Sequence, residues 1–182
     1  FCFVGRLDAS KGVTLFIDSL LSLSEYDQNL IDSVYIIGAG AYGYRYRKRL
    51  IDSGISSIYY EAMPRNSLHQ IYKKCQFIVL PSKSEGFPKV ISEALNYGCV
   101  PVVSNVSAIG QYIQDGVQGF VIDDLTVEHL SQKLQTCLNL EQDDYRHMIT
   151  QPYNYYYRFT YSFYNNRLRN EILENDCCAL DL

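Results

Sequence analysis

The chain has 182 residues, 47% of them hydrophobic, with 16 basic and 20 acidic side chains and a net charge of −4. That length suits one well-buried domain, the charge offers no general attraction to nucleic acid or anionic lipid, and no apolar run approaches the roughly 18 residues that span a bilayer. The six cysteines show no CxxC pair and no regular spacing, so they read as reduced thiols of a cytoplasmic protein, neither a disulfide frame nor a zinc site.

Phe1-Cys2-Phe3-Val4 already reads as a core strand, so the chain is expected to be the later part of a longer protein. The polar stretch Gly5–Gly12 follows, and then Val13, Phe16, Ile17, Leu20 and Leu21 recur at helical spacing. Val34–Ile37 predicts a second strand, followed by a turn at Gly38-Ala39-Gly40 and a basic helix from about Tyr42 to Ser53. Ile58–Tyr60, the Pro64-Arg65-Asn66 turn and a helix through Leu68, Ile71 and Tyr72 make the third unit. The fourth is Phe77–Leu80, a polar turn, and a helix that Pro88 opens and Gly98 ends. Val100–Val103 with a short helical segment near Ile109–Ile113 is the fifth, and Phe120–Ile122 gives the sixth strand. Thr126–Leu138, Glu141–Thr150 and Thr160–Leu173 then read as helices.

Short strands alternating with helices predict an α/β fold, a doubly wound parallel six-stranded sheet of Rossmann-like order 3-2-1-4-5-6 with additional C-terminal helices. One domain over 1–182 is expected, with a core over 1–138 and the extra helices over 139–182. In that order strands one and four are neighbours at the point where the winding reverses, and ligands of such sheets bind beyond the carboxyl ends of the strands there. Gly5–Gly12 and Ser82–Phe87 would flank this crevice.

Arg6 and Lys11 place an arginine fork and a lysine point charge beside a helix N-terminus, a fitting site for a diphosphate. The plainer account pairs Arg6 with Asp8 and leaves Lys11 solvated. Glu85 and Glu93 stand in the fourth turn and on the following helix. They suit the hydroxyls of sugar and ribose, with which carboxylates make charge-assisted hydrogen bonds; alternatively they are a loop carboxylate and one favoured by the helix dipole.

Taken together these residues carry a resemblance. Val4-Gly5-Arg6-Leu7-Asp8 with Lys11-Gly12, Gly38-Ala39-Gly40, Leu80-Pro81-Ser82 with Glu85-Gly86-Phe87, Glu93-Ala94, Gly98, Pro101-Val102-Val103, Asp115-Gly116 and Gly119-Phe120 follow one another over about residues 1 to 138. The pattern resembles the C-terminal, donor-binding half of a retaining glycosyltransferase of the GT-B fold, of the group 1 or family 4 type. The resemblance implies that Arg6 and Lys11 hold the diphosphate of a nucleotide sugar and stabilise the charge that develops as the sugar leaves. Glu85 would hold the donor sugar, Glu93 the ribose, the backbone at Lys89 and Val90 the phosphates, and the backbone near Met63 the base. Gly5, Gly86 and Phe87 complete the implied donor site. A UDP- or GDP-sugar is the implied donor, with no metal and no further cofactor, and a glycan or lipid-linked glycan the acceptor. The acceptor would be bound by an N-terminal domain, without which the isolated chain is expected to be inactive. Peripheral association with the inner face of a membrane is compatible with such an acceptor. Two positions depart from the family pattern: Glu61 stands where Gly is usual, and Gly110-Gln111 where Pro-Glu is usual.

Two competing readings remain. Gly38-Ala39-Gly40-Ala41-Tyr42-Gly43 is a literal GxGxxG after a strand, and Glu61 follows the next strand where a ribose-binding acid belongs in an NAD(P) fold. The tail, with Tyr153, Tyr155, Tyr156, Tyr157, Tyr161 and Tyr164, would suit a non-catalytic interaction module. Arg45, Arg47, Lys48 and Arg49 read as the solvated face of a helix, and His69, His129 and His147 as structural.

Overall fold

Short apolar runs closed by polar turns have the pattern of strands buried on both faces. The computed structural model describes residues 1–86, 88–150 and 161–173. In it β1 (Cys2–Val4), β2 (Val34–Ile37), β3 (Ser57–Tyr60), β4 (Phe77–Leu80), β5 (Val100–Ser104) and β6 (Phe120–Ile122) form one sheet in the order β3-β2-β1-β4-β5-β6. Every neighbouring pair is parallel, and Cys2 of β1 stands between Tyr35 of β2 and Ile78 of β4. This is the doubly wound, Rossmann-like sheet that the alternation of strands and helices predicts.

Alternation along the strands divides the core. Phe3 of β1 packs with α1 (Val13–Leu21), α3 (Gly43–Asp52) and α7 (Val127–Leu138), where Phe16, Leu20, Leu50, Leu130 and Leu134 are buried. Cys2 and Val4 point the other way, to Leu68, Ile71 and Tyr72 of α4 (Arg65–Tyr72) and Ala94 of α5 (Lys89–Leu95). Phe3 stacks on Phe16 with ring centres 6.4 Å apart, and Phe1 lies 5.4 Å from Phe77. Further helices are α6 (Ile109–Tyr112), α8 (Gln142–Thr150) and α9 (Tyr161–Arg167). Among the described residues no helix is long and apolar enough to cross a membrane.

Three local expectations change. A short helix, α2 (Glu25–Asn29), follows α1, because Ser24 caps it: its Oγ accepts from Asp27 N at 3.1 Å and donates to the Asp27 carboxylate at 2.7 Å. Pro88 precedes α5 as an extended residue with ψ 121°, so Lys89 is the first helical position; a missing N–H is as harmless there as one step later. The last helix keeps α geometry only to Arg167, and Leu168–Leu173 form a π-helix; Asn165 and Asn166 just before it and Asn170 within it are weak helix formers that do little to hold the α ladder. Phe87, the tyrosines at 153, 155, 156 and 157, and Cys177 and Cys178 lie outside the described residues.

The exits of β1 and β4 are drawn together at Gly12. This residue has φ 74°, and a Cβ on it would lie 2.1 Å from Pro81 O. Lys83 N donates to Ser10 O at 2.8 Å across the same gap. Gly54 also has a positive φ, 86°, but faces open space. Gly12→Ala should therefore cost about 3 kcal/mol or more, combining left-handed strain with a backbone clash, whereas Gly54→Ala should cost only about 1 kcal/mol. Urea unfolding midpoints of the two variants measure the difference.

Candidate functional site

The first loop is shaped by Asp8. Its Oδ1 accepts from Ser10 N at 2.9 Å, Ser10 Oγ at 2.5 Å and Lys11 N at 3.1 Å, a turn built on the aspartate side chain. Its Oδ2 takes Arg6 Nε at 3.3 Å. The Ser10 hydroxyl holds the Asp8 carboxyl below the usual carboxylate range, helped by the Lys11 and Ser10 amides and by Arg6, against a smaller desolvation effect. The pairing of Arg6 with Asp8 is thus present, yet the arginine side chain remains 73% exposed.

Lys11 is not solvated. Its Nζ meets Glu85 Oε1 at 2.5 Å, joining side chains only 21% and 11% exposed from loops 74 residues apart. Glu85 Oε1 also accepts from Ser82 Oγ at 2.9 Å. The Ser82 carbonyl in turn accepts from Ser104 Oγ at 2.5 Å, so β5 anchors the loop that presents the acid. A cation suited to a phosphate and an acid suited to hydroxyls therefore face each other at the switch point between β1 and β4.

Glu93 lies on α5, 16% exposed, with Oε1 2.6 Å from Arg65 Nη2. Met63 and Val90 are partly buried against the α4 and α5 side of the core. The hydrogen-bond ladder of α5 begins with Ile91 N donating to Pro88 O, which leaves the Lys89 and Val90 amides ahead of it. Gly86 has open space where a side chain would stand, while Gly5 packs beside Phe3 and Leu80. Sequence reasoning placed Arg65 in a turn and assigned it no task; its contact with Glu93 needs α4 and α5 to be adjacent, and no spacing within the sequence announces that.

The GxGxxG glycines serve packing. A Cβ at Gly38 would lie 1.7 Å from Gly5 O, one at Gly40 2.6 Å from Leu7 Cβ, and one at Gly43 2.3 Å from the Tyr59 ring. Their small size lets the β2 exit lie against the β1 loop, where Leu7 N donates to Ala39 O at 2.9 Å. On that side a cleft of about 500 Å³ lies between Arg6, Thr14, Tyr42 and Tyr46. The basic residues of α3 lie on a largely solvated face: Arg45, Lys48 and Arg49 are exposed, with Arg49 reaching Asp18 at 2.7 Å, and the half-buried Arg47 donates to Ser57 O. His69 packs on Tyr97 with ring centres 4.9 Å apart, and His129 Nδ1 lies 3.2 Å from Asp124.

The chain has several known relatives. Glycogen synthase of Rhizobium rhizogenes is 30% identical over 161 residues, covering 79% of this chain and 31% of that protein. An uncharacterized glycosyltransferase of Methanocaldococcus jannaschii is 27% identical over 143 residues, covering 77% of this chain and 38% of its own length. The chain thus spans well under half of either relative. The same fold occurs in the catalytic domain of cholesterol-alpha-glucosyltransferase from Helicobacter pylori, with TM-score 0.71, 23% identity and coverage of 88% of this chain and 99% of that one. It occurs again in HepE of Anabaena, solved in complex with UDP and glucose, with TM-score 0.71 and 17% identity over 86% of this chain and 43% of that one. A family model described as glycosyl transferases group 1 matches residues 1–154, and the chain belongs to that family.

Proposed function

We propose that this chain is the donor-binding part of a retaining glycosyltransferase and that it holds a nucleoside diphosphate sugar over the exits of β1 and β4. The observation that carries this reading is the Lys11–Glu85 contact, which gathers a phosphate-binding cation and a hydroxyl-binding acid at the place where doubly wound sheets take their ligands. Family membership supports the same chemistry.

In this reading the diphosphate draws Lys11 and Arg6 to itself, and Glu85, relieved of its lysine, accepts hydrogen bonds from the donor sugar's hydroxyls. Glu93 takes the ribose, the amides of Lys89 and Val90 face the phosphates, and the backbone at Met63 meets the base. Gly5 and Gly86 belong to the same donor site. The acceptor oxygen attacks the anomeric carbon on the face the diphosphate is leaving, the bond from that carbon to the phosphate oxygen breaks, and the acceptor's proton passes to that departing oxygen. Configuration is retained. Arg6 and Lys11 stabilise the charge gathering on the diphosphate, as fixed cations do best where water is largely excluded. UDP is the first nucleotide to try, because the Anabaena protein is in complex with it, and GDP the second. The acceptor, a glycan or lipid-linked glycan, would be held by a further domain of a longer protein that works in polysaccharide synthesis.

Calorimetric titration separates the roles. Lys11→Ala should weaken UDP or GDP about tenfold to a hundredfold, the effect of losing one charge-assisted contact. Glu85→Gln should leave the free diphosphate within about threefold and weaken the matching nucleotide sugar about tenfold. NADH should give no heat; binding of NADH with none of UDP, GDP or ADP would sink the reading. In a protein that also carries the acceptor domain, Arg6→Ala should lower kcat by about 10² to 10³ with a smaller change in KM, measured by release of the nucleoside diphosphate.

A further inference from the structure

Glu93, the acid proposed for the ribose, is held from the neighbouring helix. α4 and α5 both start at the strand-exit edge and lie side by side, so Arg65 in the first turn of one meets Glu93 in the second turn of the other. The contact joins one guanidinium nitrogen, Nη2, to one carboxylate oxygen, Oε1, at 2.6 Å. Glu93 Oε2 takes no part in it, and the two side chains are unequally placed: Arg65 is 70% exposed and Glu93 16%. A glutamate on a helix has three torsions to settle, and a contact on one oxygen restricts them.

The ion pair also bears on a buried tyrosine of α4. Among the described residues Tyr72 Oη is a buried side-chain polar atom with no hydrogen-bond partner. Tyr72 sits in the last turn of α4, two turns beyond Arg65, with its ring in the core that Ala94 of α5 also lines. Burial pushes the Tyr72 phenol far up; the Cys2 thiol adds to this, as does Glu93, while Arg65 pulls it down, so both members of the ion pair act on it.

We propose that Arg65 is a positioning residue that holds Glu93 by one oxygen, presents the other to the 2′- and 3′-hydroxyls of a nucleoside diphosphate, and thereby makes the site prefer ribose. The inference rests on the donor-site reading above. Its readout is a ratio of affinities, which a merely structural change would leave alone because it would weaken both ligands together.

The test titrates the chain, Arg65→Ala and Arg65→Lys with UDP and with 2′,3′-dideoxyuridine diphosphate, with GDP and ADP as further probes of the unsubstituted chain and the matching dideoxy nucleotide used if one of them binds instead. The unsubstituted chain should prefer the ribonucleotide by about tenfold or more. Arg65→Ala should bring the two ligands within about threefold of each other by weakening the ribonucleotide alone, and Arg65→Lys, which keeps a cation, should retain part of the preference. An unchanged or larger preference in Arg65→Ala overturns the inference and leaves the donor site standing, as does binding with no ribose preference in the unsubstituted chain. Failure of UDP, GDP and ADP alike to bind the unsubstituted chain removes the donor site and the inference together.

Discussion

Two loops leaving adjacent strands at the centre of the sheet must pass within backbone contact of each other, and the missing side chain at Gly12 is what lets them. Pro81 O occupies the place a Cβ would need. One residue away, Lys11 is delivered to Glu85, and Ser104 of β5 and Asp8 of the first loop fix the two ends of that contact. The parallel order with β1 beside β4 supplies the proximity. A site of this kind is therefore a property of strand order before it is a property of any motif.

The crevice is neutralised from within. Each acid suited to hydroxyls is held by a cation of another segment: Glu85 by Lys11, Glu93 by Arg65. The two pairs differ in surroundings. Lys11 and Glu85 are both largely enclosed, where an ion pair is strong and an unpaired charge costly, whereas Arg65 stands mostly in water and its attraction is screened. An arriving diphosphate can compensate Lys11 with its own charge, so exchange at the first pair need leave no buried cation alone. The second pair has less to gain from exchange, which suits a tether.

The rest of the chain keeps these edges in place. Tyr145 of α8 donates to Gly98 O at 2.7 Å and its ring meets Phe77 edge-on, tying the helix after the core to the turn that ends α5 and to β4. Cys2 and Cys99 lie with their sulfurs 3.9 Å apart in the core under α4 and α5, and burial pushes the Cys2 thiol well up. Thiols so held are poor nucleophiles and serve as packing.

The periodicity of apolar residues determined the six strands, the major helices and the class of fold, because burial on a sheet or a helix face imposes a period that local sequence must carry. Val34–Ile37, Phe77–Leu80 and Phe120–Ile122 run as read, and polar residues at the strand exits and on the helix after β4 singled out Arg6, Lys11, Glu85 and Glu93. A glycine motif, however, says only that a side chain is unwelcome. Whether the close neighbour is a phosphate or, as at Gly38 and Gly40, the loop of β1 was decided by tertiary packing. Tertiary structure alone also chose the partners: Arg6 with Asp8 was legible at two residues' distance, but Lys11 with Glu85 and Arg65 with Glu93 were not. Charge pairing depends on separation in space, and the sheet order that sets those separations is fixed by contacts between segments far apart along the chain.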